Sequence, residues 1–147
     1  MLEFSGEKKF QLSAAEIWAK LSDARFLIQC IPDVEKVSRV DQAEALCTLR
    51  PGFSFVRGTL DLTVRIVDLV PNESARYLLH TKGIGTTSEV EANWSVLPSE
   101  DGSRLSWSVV IKSLGGLLKA VPQGLTKAAA QKVITDAWTA VEQRLAG

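Results

Sequence analysis

The sequence predicts an α+β domain: a curved antiparallel sheet of about seven strands wrapped around one long C-terminal helix, with two short helices after the first strand. Three patterns carry this expectation. Between residues 34 and 112, apolar and polar residues alternate with period two in segments parted by turn residues. From Thr126 to Leu145 there is neither proline nor glycine and alanine is abundant, which favours helix. Between the first strand and Pro32 the apolar spacing is helical instead.

Taken in order, EFSGEKKFQL (3–12) sets Phe4, Gly6, Phe10 and Leu12 in one phase against Glu3, Ser5 and Glu7, a half-buried strand. Ser13 can cap the next segment, Glu16 follows three residues later as in a capping box, and Ala14, Ile17, Trp18 and Leu21 form one helical stripe. Asp23 can cap a second short helix, ARFLIQC, which Pro32 stops by forcing the preceding residue out of helical geometry. Strands are predicted at 34–41, 43–50, 56–68, 74–82, 86–97 and 103–112. The clearest is SRLSWSVVIK, where Leu105, Trp107, Val109 and Ile111 alternate with Ser106, Ser108 and Lys112. Leu60, Leu62, Val64 and Ile66 alternate in the same way with Asp61, Thr63 and Arg65. The connectors DQAE, PNES and PSEDGS are turn chemistry. One wet face and one apolar face imply an antiparallel sheet covered on one side. The cover is the last helix, whose Ile134, Trp138, Val141 and Leu145 repeat at helical spacing.

LGGLLKAVPQGL (114–125) poses a problem. Leu114, Leu117, Leu118, Val121 and Leu125 share one helical face, yet Gly115, Gly116, Pro122 and Gly124 lie among them. The spacing predicts a short helical turn around 114–121, a break near 122–124 where proline has no N–H to give, and a helix from about 125 to 146. A helix of that length reaches roughly 30–33 Å and can cross the sheet.

At 147 residues the chain reads as one domain, 1–147, large enough for a core without staples. Its formal net charge of zero argues against phosphate-backbone binding and so against nucleic acid. No stretch has the apolar length of a membrane span, and MLEFSGEKKF holds no apolar run of the secretory kind. Cys30 and Cys47 are then expected as buried free thiols in a cytoplasmic protein.

The residues FSGEKKFQLSAAEIWAKLSDARFLIQCIPDVEKV, Gly58 within FVRGTLDLTVRIVD, and SLGGLL (113–118) resemble the CoxG family of carbon monoxide dehydrogenase, within the helix-grip superfamily of START domains, plant pollen-allergen proteins and polyketide cyclases. Cys30, Ile31 and Pro32 match that family's Cys-Ile-Pro-Gly turn, with Asp33 in place of its glycine. The family's glycine run is reduced here to KGIGTTSEVEANW, and longer members continue into an apolar, membrane-associated tail for which this sequence has no counterpart after Gly147. The resemblance implies a cavity between sheet and C-terminal helix. Its walls are expected from Leu60, Leu62, Tyr77, Leu79, Trp94, Trp107, Val109, Leu117, Val121, Leu125, Ile134 and Trp138.

Catalytic and metal chemistry find little support. The single histidine, His80, shares its strand phase with Arg76 and Lys82 and is expected to face solvent. No CxxC, HxxxH or HExxH spacing occurs, so neither a metal nor another cofactor is expected. The Gly-x-Gly of KGIGTT precedes no helix and reads as a hairpin turn rather than a phosphate cradle. Asp61, Glu89 and Glu91 fall on wet strand faces. Trp18, Trp94, Trp107 and Trp138 lie in the apolar phases of four separate elements. They can fill a core, or line a cavity whose indole N–H groups orient a polar ligand end.

The leading expectation is a non-enzymatic carrier of an apolar small molecule, of lipid or quinone type as the resemblance implies, with an accessory role beside a carbon monoxide dehydrogenase-type oxidoreductase. Two others stand beside it. One is a cyclase- or hydrolase-like enzyme using Arg57, Tyr77 and His80 in the same cavity. The other is an interaction module with a filled core that presents Leu114–Leu118 to a partner protein or as a peripheral contact to a bilayer.

Overall fold

In the computed structural model, residues 2–52 and 57–146 are described. Strand β1 (Leu2–Phe10) is followed by α1 (Ala14–Leu21) and α2 (Ala24–Leu27). Six strands come next: β2 (Val34–Val40), β3 (Glu44–Leu49), β4 (Leu60–Val70), β5 (Ser74–Gly83), β6 (Thr86–Ser99) and β7 (Gly102–Gly116). A 3₁₀ turn (Leu117–Ala120) then leads into α3 (Gln123–Ala146). The strands form one antiparallel sheet in the order β1-β7-β6-β5-β4-β3-β2. This is the α+β, helix-grip arrangement expected from the sequence.

The first two strands of the chain occupy opposite edges of the sheet. The chain must therefore cross from one edge to the other between Phe10 and Val34, and α1 and α2 make that crossing. Ser13 Oγ accepts from the Glu16 N–H at 3.1 Å and Asp23 Oδ1 from the Arg25 N–H at 2.9 Å, so both caps form as their residue types predict. The helices bury Ala14, Ile17, Leu21, Ala24, Leu27 and Ile28 against Ala45, Cys47, Val64, Ile66, Val96 and Leu105 of the sheet. Two long-range hydrogen bonds fix α1 on β5. The Trp18 indole donates to Ser74 O at 2.9 Å, and the Tyr77 hydroxyl donates to Leu21 O at 2.5 Å, satisfying a carbonyl that the helix end leaves unpaired. The fully buried Ser103 donates to Leu12 O at 2.9 Å and ties the start of β7 to the same corner.

Strand alternation holds where the sequence predicted it. Leu60, Leu62, Val64 and Ile66 are buried on β4, while Asp61 and Arg65 are exposed. The strand starts at Leu60, four residues later than the predicted 56, and Val56 lies outside the described residues. The larger correction concerns 114–121. No helical turn begins at Leu114; instead β7 continues to Gly116, pairing Gly115 with Thr87 and Gly116 with Thr86. A Cβ on Gly115 would run into the Thr87 side chain, and Gly116 has φ 61°. The glycine pair thus serves close strand contact and a left-handed exit, not a helix break. Only Leu117–Ala120 is helical there, and α3 starts at Gln123, earlier than the expected 125. Pro122 sits just before the helix, where its carbonyl accepts from Leu125 and Thr126 and its missing N–H costs nothing.

Asp33, the residue that stands where the resembling family has glycine, adopts φ 65°. That backbone region costs L-residues about 1–2 kcal/mol, least for Asp and Asn. Asp33→Gly is expected to raise stability by up to about 1 kcal/mol and Asp33→Val to lower it by about 1–2 kcal/mol. Urea unfolding midpoints of the two variants measure both.

Candidate functional site

Register and alternation place Phe10, Trp107, Val109, Ala92, Trp94, Leu79, Tyr77, Leu62 and Cys47 on one concave face of the sheet. The helices α1 and α2 cover only part of it. Under them Ala75, Trp94, Val96, Leu105, Val64 and Ile66 are buried. Towards the β5–β6 hairpin, Leu79, Val90, Ala92 and Val109 belong to the central strands β5, β6 and β7 and point to the same face, yet they are only half-buried. Leu114 joins them because a bulge at Lys112 shifts the phase of β7 and pairs Leu114 with Ser88. Beyond this apolar floor, Thr81 and Ser88 hydrogen-bond to each other across the strands.

Helix α3 lies over this face and is fastened at its C-terminal end. Trp138 packs on Phe10 at 6.4 Å and on Trp107 at 6.0 Å between ring centroids, Val141 is buried, and Glu142 pairs with Lys8 at 3.0 Å. Arg144 donates to Gln29 O at 3.1 Å and to Gln29 Oε1 at 2.9 Å. In its N-terminal half the helix turns small residues inward: Thr126, Ala129 and Ala130 are half-buried where Lys127 and Ala128 are exposed. Large side chains line the seam at one end and small ones at the other. The seam between the sheet floor and the first turns of α3, called the furrow below, is the candidate site.

The inner end of the furrow carries two unpaired donors. The indole nitrogens of Trp94 and Trp107 are buried with no hydrogen-bond partner among the described residues. An unpaired buried N–H costs on the order of 1–3 kcal/mol, so its survival calls for an acceptor supplied from elsewhere. Trp94 leans towards Tyr77, with ring centroids 6.2 Å apart. Trp107 lies over Gly6, where a Cβ would come within 2.9 Å of the indole ring. Gly6 is therefore the residue that lets Trp107 lie flat against β1.

The sequence-predicted wall residues divide among these places. Leu60, Leu62 and Trp94 are buried, and Tyr77, Leu79, Trp107 and Val109 are half-buried on the concave face. Ile134 and Trp138 are half-buried on α3, and Val121 is half-buried at the end of the 3₁₀ turn. Leu117 and Leu125 stand at the rim, 67% and 51% exposed. Val90 and Ala92 join the floor without having been predicted, although their alternation with Glu89 and Glu91 puts them in the apolar phase.

Two concavities lie on the surface, the first of them also reaching Trp94 and Trp107. A groove of about 420 Å³ runs over the outer sheet face beside Asp68, Arg76, Asn93 and Ser106, and another of about 630 Å³ lies beside Lys20, Phe26 and Arg144. Of the residues proposed for catalysis, Tyr77 points inward and spends its hydroxyl on Leu21, while His80 lies on the outer face, 3.8 Å from Glu89. Arg57 is exposed ahead of β4. These three do not converge. Among the described residues no group of three or more His, Cys, Asp or Glu side chains is placed to hold a metal ion. Both cysteines are free and buried. Burial raises the Cys30 thiol from 9.0 to about 11, with Arg144 opposing the shift, and burial followed by the Asp61 charge raises Cys47.

The sequence profile of the family described as the CoxG subunit of carbon monoxide dehydrogenase matches residues 6–146. The chain belongs to the CoxG family. Solved structures repeat its fold. A conserved protein from Geobacillus kaustophilus is 21% identical, covers 99% of this chain and 95% of its own, and superposes with a TM-score of 0.86. A START superfamily protein from Mycobacterium smegmatis is 14% identical over 97% of this chain and 95% of its own, with a TM-score of 0.66. The AHSA1 (SPO3351) protein from Silicibacter pomeroyi is 14% identical over 99% and 98%, with a TM-score of 0.67. Curated proteins give no significant match. The profile match gives the family and the solved structures give the fold.

Two outcomes follow from the buried groups. Burial holds the Tyr77 phenol well above its ordinary 10.0, so both Tyr77 and Cys30 bind their protons more tightly folded than unfolded. Their contribution to stability is complete below pH 9.0; it is lost as pH rises from 9.0 to about 11 for Cys30 and from 10.0 upwards for Tyr77. Because Tyr77 is the one tyrosine of the chain, tyrosinate absorbance should appear together with alkaline unfolding, and Tyr77→Phe should flatten the loss of stability above pH 10.0. Gly6→Val should displace Trp107 and destabilise the fold by about 1–3 kcal/mol, with a changed near-ultraviolet circular dichroism spectrum.

Proposed function

We propose that this CoxG-family domain binds an apolar small molecule of lipid or quinone type in the furrow between the sheet and α3. It acts as a carrier rather than a catalyst, in the service of a carbon monoxide dehydrogenase-type oxidoreductase. The observation that carries the reading is the conjunction of a half-buried apolar floor on central strands with two orphaned indole donors at its inner end. Central-strand residues under a helix are normally sealed; here Leu79, Val90, Ala92 and Val109 are left open to a guest. The orphaned N–H groups of Trp94 and Trp107 call for a guest with an acceptor, such as a carbonyl or ether oxygen, and no obligatory donor. Burying about 300 Å² of apolar guest surface would be worth about 7 kcal/mol before ordering costs.

Extraction of the purified protein with organic solvent, followed by mass spectrometry, should release a molecule of this class. Titration of the stripped protein with a short-chain quinone, read through tryptophan fluorescence, should saturate. Ala92→Trp fills the floor and should weaken that titration at least tenfold, about 1.4 kcal/mol, while leaving the circular dichroism spectrum unchanged. An empty extract together with a flat titration would remove the carrier reading.

A further inference from the structure

The groove of about 630 Å³ lies where α1, α2 and the last turn of α3 converge. Three cations line it against a single carboxylate: Lys20, Arg25 and Arg144 against Asp23. Asp23 is already occupied. Its two oxygens accept from the Arg25 guanidinium at 3.0 and 2.8 Å, and Oδ1 also caps α2. The hydrogen bond from Arg25 holds the Asp23 carboxyl below its ordinary value, so the pair stays ionised and the two charges offset each other.

Lys20 and Arg144 are left over, each held by a neutral partner. The Lys20 ammonium lies 5.8 Å from the centre of the Phe26 ring. Arg144 donates through Nε to Gln29 O at 3.1 Å and through one Nη to Gln29 Oε1 at 2.9 Å, which leaves its other Nη spare. Gln29 is tied down in turn, because its Nε2 donates to Arg25 O at 3.0 Å. The run Asp23–Arg25–Gln29–Arg144 thus fixes both guanidiniums before any guest arrives and spares the guest the cost of ordering them.

We propose that this groove binds a small organic phosphate monoester, its phosphate meeting Lys20 and Arg144 and its organic part resting against Phe26 and Ala19. Two uncompensated cations match a group that carries close to two negative charges at neutral pH. The guanidinium suits phosphate oxygens, and the volume falls in the usual range of small-molecule sites. The groove shares no lining residue with the furrow, so the two sites are separate.

Calorimetric titration of the full chain with phenyl phosphate at low salt tests it, with benzoate and inorganic phosphate alongside. Phenyl phosphate should saturate one site, bind more tightly than singly charged benzoate, and weaken as sodium chloride is added. Lys20→Gln and Arg144→Gln should each weaken binding by about twofold to fivefold. Asp23→Asn keeps a good helix cap, removes the carboxylate and should tighten binding by a similar factor. Phe26→Leu should narrow the preference for phenyl phosphate over inorganic phosphate. Arg144 also fastens α3, so circular dichroism checks each variant, and Lys20→Gln decides the matter where Arg144→Gln fails to fold. No saturable heat with the unaltered chain, benzoate bound as tightly as phenyl phosphate, undiminished binding by Lys20→Gln, or no tightening by Asp23→Asn would overturn the proposal. Ala92→Trp leaves this groove untouched and should bind phenyl phosphate as the unaltered chain does. Loss in that variant would place the phosphate in the furrow and overturn the assignment, so failure of this site and failure of the furrow are told apart.

Discussion

The structure depends on one connection: the 23 residues that must carry the chain from β1 at one edge of the sheet to β2 at the other. That crossing has to pass over the concave face, so the face is roofed there by α1 and α2, capped by Ser13 and Asp23 and pinned through Trp18, Tyr77 and Ser103. Two helices of eight and four residues are too short to roof the whole sheet. The remainder falls to α3 alone. That helix is fastened at its C-terminal end and lined with alanine at the other.

The furrow follows from this division of labour rather than from any special motif. At the fastened end, Phe10, Trp107 and Trp138 stack into one another, and Lys8 pairs with Glu142 and lies over the Trp138 ring. Towards its N-terminal end α3 carries the half-buried Ala129 and Ala130, and the sheet the half-buried Ala92 and Val109. Side-chain volume alone thus sets a gradient from packed to open along α3.

Much of the fold is legible in the sequence because its signals are local. Caps at Ser13 and Asp23, the alternation through β4 and β7, and the stripe Ile134, Trp138, Val141 and Leu145 can each be read within a dozen residues. The segment 114–121 misleads because its spacing satisfies a helix while its glycines answer to Thr86 and Thr87, nearly thirty residues earlier. The bulge that brings Leu114 onto the concave face is likewise a property of the pairing, not of the segment. The wall of the furrow is legible as an apolar phase, but alternation is the same for a filled core and an open floor. What separates Leu79 and Val109 from Leu105 and Val64 is the reach of α1 and α2, a length that no single strand encodes. The unpaired state of the Trp94 and Trp107 nitrogens is equally invisible until neighbouring strands fix where the rings lean.

The pairing of β1 with β7 joins Phe4 to Val109 and Phe10 to Ser103, contacts that bridge most of the chain. During synthesis the first strand must leave the ribosome and wait for its partner until the two helices and five strands between them have been made, and such distant pairings form slowly. Glu3, Glu7, Lys8 and Lys9 place charge of both signs along the waiting strand, which discourages it from annealing to a neighbouring nascent copy. Closure of this sheet therefore waits on β7, and the seat of Trp107 over Gly6 cannot be completed before that strand has been made.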